Sequence, residues 1–169
     1  MGLPERHEAA PYYFTYIDRI SSGDIAGTLA TQLEETLAIL GGITEEKSSY
    51  RYAPGKWSIR EVLSHVNDTE RVFLYRALWF ARGLDGPLPS FDQDAGVKGT
   101  GAAEVPWTSH VEEFRAIRMA TLCFIRNLSA AAWMRSGIAS GNSVTVRALA
   151  YIIAGHVAHH VAILQERYL

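Results

Sequence analysis

The chain has 169 residues, of which 48% are hydrophobic and 20% charged, with a formal net charge of −2. That length buries a full hydrophobic core in one domain, and the composition excludes a disordered chain. Lys and Arg are scattered, so the basic footprint of a nucleic-acid binder is absent, and one cysteine (Cys123) excludes an internal disulfide framework.

Residues 1–20 hold Pro4, Pro11 and the aromatics Tyr12, Tyr13, Phe14 and Tyr16 without a helical period, which predicts an extended N-terminal arm ahead of a single domain over 21–169. The start has no basic region followed by an apolar run, and no apolar stretch reads as long enough for a bilayer, so a cytoplasmic protein without a membrane partner is expected. Ser21, Ser22 and Asp24 offer N-caps to a first helix, in which Ile25, Leu29, Leu33, Leu37 and Leu40 recur every three or four residues until Gly41-Gly42. Ser58 with Glu61 forms a capping box, and the second helix carries Val62, Leu63, Val66, Val72, Phe73 and Leu78 to about Gly83. Residues 84–106 read as a long Gly- and Pro-rich loop of the kind that lines a site or an interface. Ser109 with Glu112 predicts the start of a third helix, with Val111, Phe114, Ile117, Leu122 and Ile125 on its apolar face. A short helical turn over 128–133 and a loop over 137–142 follow. Thr145 then caps a fourth helix carrying Leu149, Ile152, Ile153, Ile163 and Leu164. Four long helices and no strand predict an all-α four-helix bundle.

Three of the six histidines fall within Gly155-His156-Val157-Ala158-His159-His160. Imidazole is the commonest side-chain metal ligand, and residues four apart share a helix face. At 100° per residue, His156 and His160 lie roughly 20° from the apolar direction of the fourth helix and His159 roughly 80° away. The inward pair is therefore His156 and His160, with His159 flanking it. A zinc-like site with an open position needs three protein ligands. His7 lies in the arm, His110 falls in the first turn of the third helix where exposure is expected, and His65 sits at the edge of the second helix's apolar stripe. Glu61, Asp68 and Glu70 read as a solvated face rather than catalytic acids. Arg71 and Arg76 read as surface or interface ion pairs, Trp57 and Trp79 as core or cap packing, and Cys123 as a small buried hydrophobe. No catalytic residue is assignable from spacing.

The run Arg51-Tyr52-Ala53-Pro54-Gly55-Lys56-Trp57-Ser58-Ile59-Arg60-Glu61-Val62-Leu63-Ser64-His65, continued by Asp68-Thr69-Glu70-Arg71-Val72-Phe73 and Tyr75-Arg76-Ala77-Leu78, resembles a signature of the DinB/YfiT-like superfamily. Ile153-Ala154-Gly155-His156-Val157-Ala158-His159-His160 is similar to its second signature. The resemblance runs from Asp24 onward. It implies a four-helix bundle in which His65, His156 and His160 converge on a divalent metal such as zinc or nickel, and it implies a homodimer. It further implies transfer chemistry in which a low-molecular-weight thiol attacks a small electrophile. Metal-dependent hydrolysis and non-catalytic binding of a metal or small ligand in a stress response are the alternatives. Val157 stands where the resemblance implies a glutamate in many members, which removes one candidate for proton transfer.

Overall fold

The computed structural model describes residues 2–169. Residues 6–8 and 11–13 form 3-10 turns, and α1 spans Phe14–Ile17. The arm is thus a series of short helical turns rather than an extended strand. Its anchor is Glu8, buried to 1% exposure. Although burial pushes the Glu8 carboxyl up, bonds from Arg147, the Glu5 N–H and the Thr145 hydroxyl (2.8 Å) hold it below the usual range.

The predicted long helices are present. The first, α2, spans Ile25–Gly41, and the Asp24 side chain accepts from the Gly27 N–H at its start. A single turn, α3 (Glu45–Ser48), leads to α4 (Ile59–Ala81), where the Ser58/Glu61 capping box forms as read from the sequence. Glu61 also pairs with Arg51, so it serves a helix end. The segment 84–106 is less of a loop than expected. It holds α5 (Gln93–Gly99), capped by the Asp92 carboxylate, and a 3-10 turn at Ala102–Glu104.

The next long helix, α6, spans Trp107–Arg126 and begins two residues before the predicted Ser109 cap. Its first N–H is satisfied from a distance, the Trp107 N–H donating to Glu45 Oε2 at 2.7 Å. His110 faces inward, 3% exposed with its Nε2 3.1 Å from the Ala102 carbonyl, against the expectation that it is exposed. After α7 (Ala130–Trp133), the stretch read as a loop is an antiparallel hairpin, β1 (Ser136–Ala139) with β2 (Asn142–Thr145). Ser140 and Gly141 both have positive φ (52° and 75°), the backbone of a tight two-residue hairpin turn. Thr145 then caps α8, Val146–Arg167, as predicted.

Four helices close a ring: α2 packs on α6, α6 on α4, α4 on α8, and α8 on α2. A buried polar network ties all four. Arg118 of α6 donates from Nε and Nη2 to the two Glu70 oxygens of α4 at 2.9 and 2.8 Å. Its Nη1 donates to Gln32 Oε1 of α2 at 2.8 Å, and Gln32 Nε2 donates to the Ala154 carbonyl of α8 at 2.9 Å. Arg118 is fully buried and Glu70 nearly so. Glu70 is therefore an internal strut, correcting its reading as a solvated residue. Cys123 is exposed rather than buried.

By length and apolarity α8 meets the criterion for a membrane-crossing helix, which corrects the expectation that no stretch does. Its composition follows from its position. Residues 148–157 are buried all round because α2 and α4 cover it on one side and α1 on the other. Gly155 marks the crossing with α1, since a Cβ there would collide with the Tyr16 backbone carbonyl.

Candidate metal centre

The close crossing at Gly155 brings Tyr16 down beside α8, one residue before His156. The Tyr16 ring lies edge-on to His156, with centroids 5.4 Å apart, and to His159 at 5.5 Å. From α4, His65 faces the same point, with Trp57 packed against it at 5.0 Å. His156 Nε2 lies 3.1 Å from both His65 Nε2 and His160 Nε2. The sequence-derived trio His65, His156 and His160 thus comes together, with one nitrogen from each within 4.8 Å of the others. His159 stands outside the trio, half-buried and flanking it, as the helical wheel indicates.

Burial sets the charge state of these rings. His65 and His156 are 3% and 4% exposed. Desolvation pushes His65 down to about 4, opposed by the Asp94 charge and assisted by His159. Burial and the neighbouring His65 and His159 bring His160 down to about 3. His156 lies well below its usual value through burial and the three histidines around it. All three rings are neutral at pH 7 and offer lone pairs.

The donor set fits a divalent cation. Tetrahedral positions 2.0–2.1 Å from a common centre are about 3.3 Å apart, close to the observed spacings, and imidazole suits zinc and nickel alike. Three converging Nε2 atoms cannot satisfy one another by hydrogen bonding alone, because a neutral ring has a single N–H. Thr69, one turn beyond His65, places its hydroxyl 3.3 Å from His65 Nδ1 and fixes that ring's orientation. Val157 is buried at 1% exposure, and no carboxylate joins the cluster among the described residues.

The carboxylates considered from the sequence are engaged elsewhere. Glu61 caps α4 and Asp68 pairs with Arg71 at 3.2 Å. Asp94, whose charge reaches His65, was hidden in the stretch read as loop; the signal for its helix is the Asp92 cap two residues earlier.

Two openings meet the trio. On one side a cleft of about 580 Å³, measured to its open mouth, reaches His65 and His156 between Tyr16, Phe73, Phe91 and Arg76. On the other, a groove beside His160 is walled by Tyr52, Trp57 and Tyr168.

No curated protein matches the sequence. Solved structures share the fold, two of them as follows. One is YfiT from Bacillus subtilis, described as a probable metal-dependent hydrolase with an unusual four-helix bundle topology, at 18% identity and a TM-score of 0.71, covering 87% of each chain. The other is a mycothiol-dependent maleylpyruvate isomerase, at 12% identity and a TM-score of 0.70, covering 86% of this chain. This chain spans only 61% of the isomerase's length. The DinB superfamily model matches residues 28–164, which hold α4 and α6 whole, all but the outer ends of α2 and α8, and all three clustered histidines, and the chain belongs to that superfamily.

Proposed function

We propose that the protein is a divalent-metal-dependent enzyme in which His65, His156 and His160 hold zinc or nickel, and that it transfers a low-molecular-weight thiol to a small electrophile. The observation that carries the reading is the convergence of three neutral, buried imidazoles where two openings meet. A divalent cation held by uncharged ligands keeps its full charge and lowers the pKa of a bound thiol or water, supplying a nucleophile near neutral pH.

The chain's own residues do the rest. Trp57, Tyr16 and Phe73 pack around the imidazoles and strip much of their hydration away from the two openings. Thr69 holds the His65 ring. Burial and a hydrogen bond with Tyr12 push the Tyr16 phenol well above its usual range, so it stays protonated and serves as a neutral hydrogen-bonding group. Separate openings toward His65/His156 and toward His160 suit a reaction with two substrates. Hydrolysis is the second reading, favoured by Asp94, the one carboxylate whose field acts on His65. Thiol transfer stands ahead of it because Glu61 and Asp68 are committed to other contacts, and transfer needs little further acid–base machinery.

The test is direct. Wild-type protein and His156→Ala are purified and their metal content measured by mass spectrometry, then assayed with a panel of low-molecular-weight thiols and monobromobimane. Wild type carries one metal per chain and consumes thiol, and His156→Ala loses both. Metal content that survives the substitution refutes the ligand set, and a loaded protein that consumes no thiol refutes the transfer reading.

A further inference from the structure

We infer that the cleft beside the histidine trio is a carboxylate-binding site, in which the Arg76 guanidinium holds the anionic end of a small organic acid whose apolar body points toward the trio. The inference deepens the functional reading above by naming its substrate class, and it rests on that reading only for the reaction at the metal.

Arg76 is the anomaly that carries it. Expected on a surface, it is 4% exposed, yet among the described residues it forms no ion pair. Burying a charge without a counter-charge is costly. The other buried arginines are matched: Arg118 with Glu70 and Arg60 with Glu45. Arg76 has only neutral acceptors, its Nη2 donating to the Pro89 carbonyl at 2.9 Å and to Ser140 Oγ at 3.1 Å. The Phe73 ring, 5.7 Å from the guanidinium carbon, adds a weak cation–π contact. Nε and Nη1 donate to no protein atom among the described residues, and the guanidinium lines the cleft. A planar fork with spare N–H groups matches a carboxylate.

The fold holds this arginine in place from several sides. Ser140 sits at the tip of the hairpin in a left-handed conformation, and Pro89 belongs to the strand-like segment whose Leu88 pairs with β1. Both acceptors therefore hang on rigid backbone and set the guanidinium's orientation. Along α4, Arg76 lies eleven residues after His65, about 16 Å along the axis and only about 20° round it. Thr69, Val72 and Phe73 line the same cleft between them. With Phe91 and the tyrosines 12, 13 and 16 as walls, the cleft suits an acid with an aromatic or unsaturated body.

Benzoate and its uncharged isostere benzamide are the probes, titrated calorimetrically into zinc-loaded and metal-stripped protein. Wild type binds benzoate at least tenfold more tightly than benzamide in both forms. Arg76→Gln weakens benzoate at least tenfold in both while leaving benzamide affinity and zinc content unchanged. Arg76→Lys, which keeps the charge and loses the fork, gives an intermediate affinity and replaces the glutamine variant should that fail to fold. Benzoate that binds no more tightly than benzamide, or not at all, overturns the inference on wild type alone. Benzoate affinity that vanishes with zinc and ignores Arg76→Gln overturns it while leaving the metal centre standing. A protein that takes up neither zinc nor nickel yet binds benzoate through Arg76 keeps the anion site and overturns the metal reading.

Discussion

Zinc affinity should be nearly independent of pH between 6.5 and 5.5, and the reason is the burial of the three imidazoles. In a solvated tri-histidine site each ligand titrates near 6.5, and protons compete with the metal across this range. Per ligand the competition changes about 5.5-fold over that unit, so three ligands change the affinity roughly 170-fold. In the folded protein desolvation brings His65 down to about 4 and His160 down to about 3, and burial holds His156 well below its usual value. Even with each value placed at 5, the combined change is about twofold. Competition against a chromophoric chelator at the two pH values measures this directly. A short peptide carrying the His156–His160 spacing serves as the solvated control and shows the steep dependence. A fall of more than about thirtyfold in the protein would mean that water reaches the rings and that desolvation does not set their charge state.

Removing either partner of the Glu70–Arg118 pair strands a buried charge and costs about 3–5 kcal/mol, which lowers Tm by roughly 6–20 °C in a domain of this size. The double variant Glu70→Met/Arg118→Leu recovers most of that loss by calorimetry. Gly155→Ala forces a methyl group into the Tyr16 backbone and costs about 1–3 kcal/mol. It detaches residues 6–17 from α8, read as faster proteolytic nicking in that segment. Glu8, held below its ordinary 4.5, contributes stability that is present above that pH and lost as pH falls through its lower folded value. Wild type and Glu8→Gln therefore converge in denaturant midpoint as the solution is acidified, and the gap reopens on return to neutral pH.

What the sequence made legible followed from local rules. Apolar residues every three or four positions drew α2 and α4 well, and side-chain caps at Asp24, Ser58 and Thr145 fixed three helix starts. The helical wheel separated His156 and His160 from His159 because Leu149, Ile152, Ile153, Ile163 and Leu164 share one direction and His156 and His160 lie close to it. It could not place His65 with equal force. Helix α4 is packed by α5, α6 and α8, so its buried residues cover several faces and no single stripe defines inward. Resemblance to the superfamily supplied that third histidine. The misses share a cause, namely contacts made far along the chain. The start of α6 depends on Glu45, and the burial of Glu70 depends on Arg118, 48 residues away. The hairpin was hidden by the brevity of its strands, although Ser140-Gly141 is a legitimate turn signal. Arg76 looked like a surface charge because nothing local foretells that Pro89 and Ser140 enclose it.

Those distant contacts also explain how the trio can hold its shape. Lone-pair donors this close, His156 Nε2 lying 3.1 Å from both of the others, repel one another unless a cation or shared proton lies between them, so the scaffold must resist their separation. It does so around α8. Ala154, two residues before His156, receives the Gln32 end of the Arg118 network, and Gly155 bears the Tyr16 backbone. The same network grips α4 at Glu70, five residues beyond His65. Both helices that carry the trio are thereby clamped within two turns of their histidines by contacts that do not involve the imidazoles. A site held in this way is preorganised before a cation arrives, so binding energy is not consumed in ordering the ligands. Loosening the clamp at Glu70 or Gly155 should therefore weaken metal retention even though neither residue reaches the trio, and the two effects should track the loss of stability.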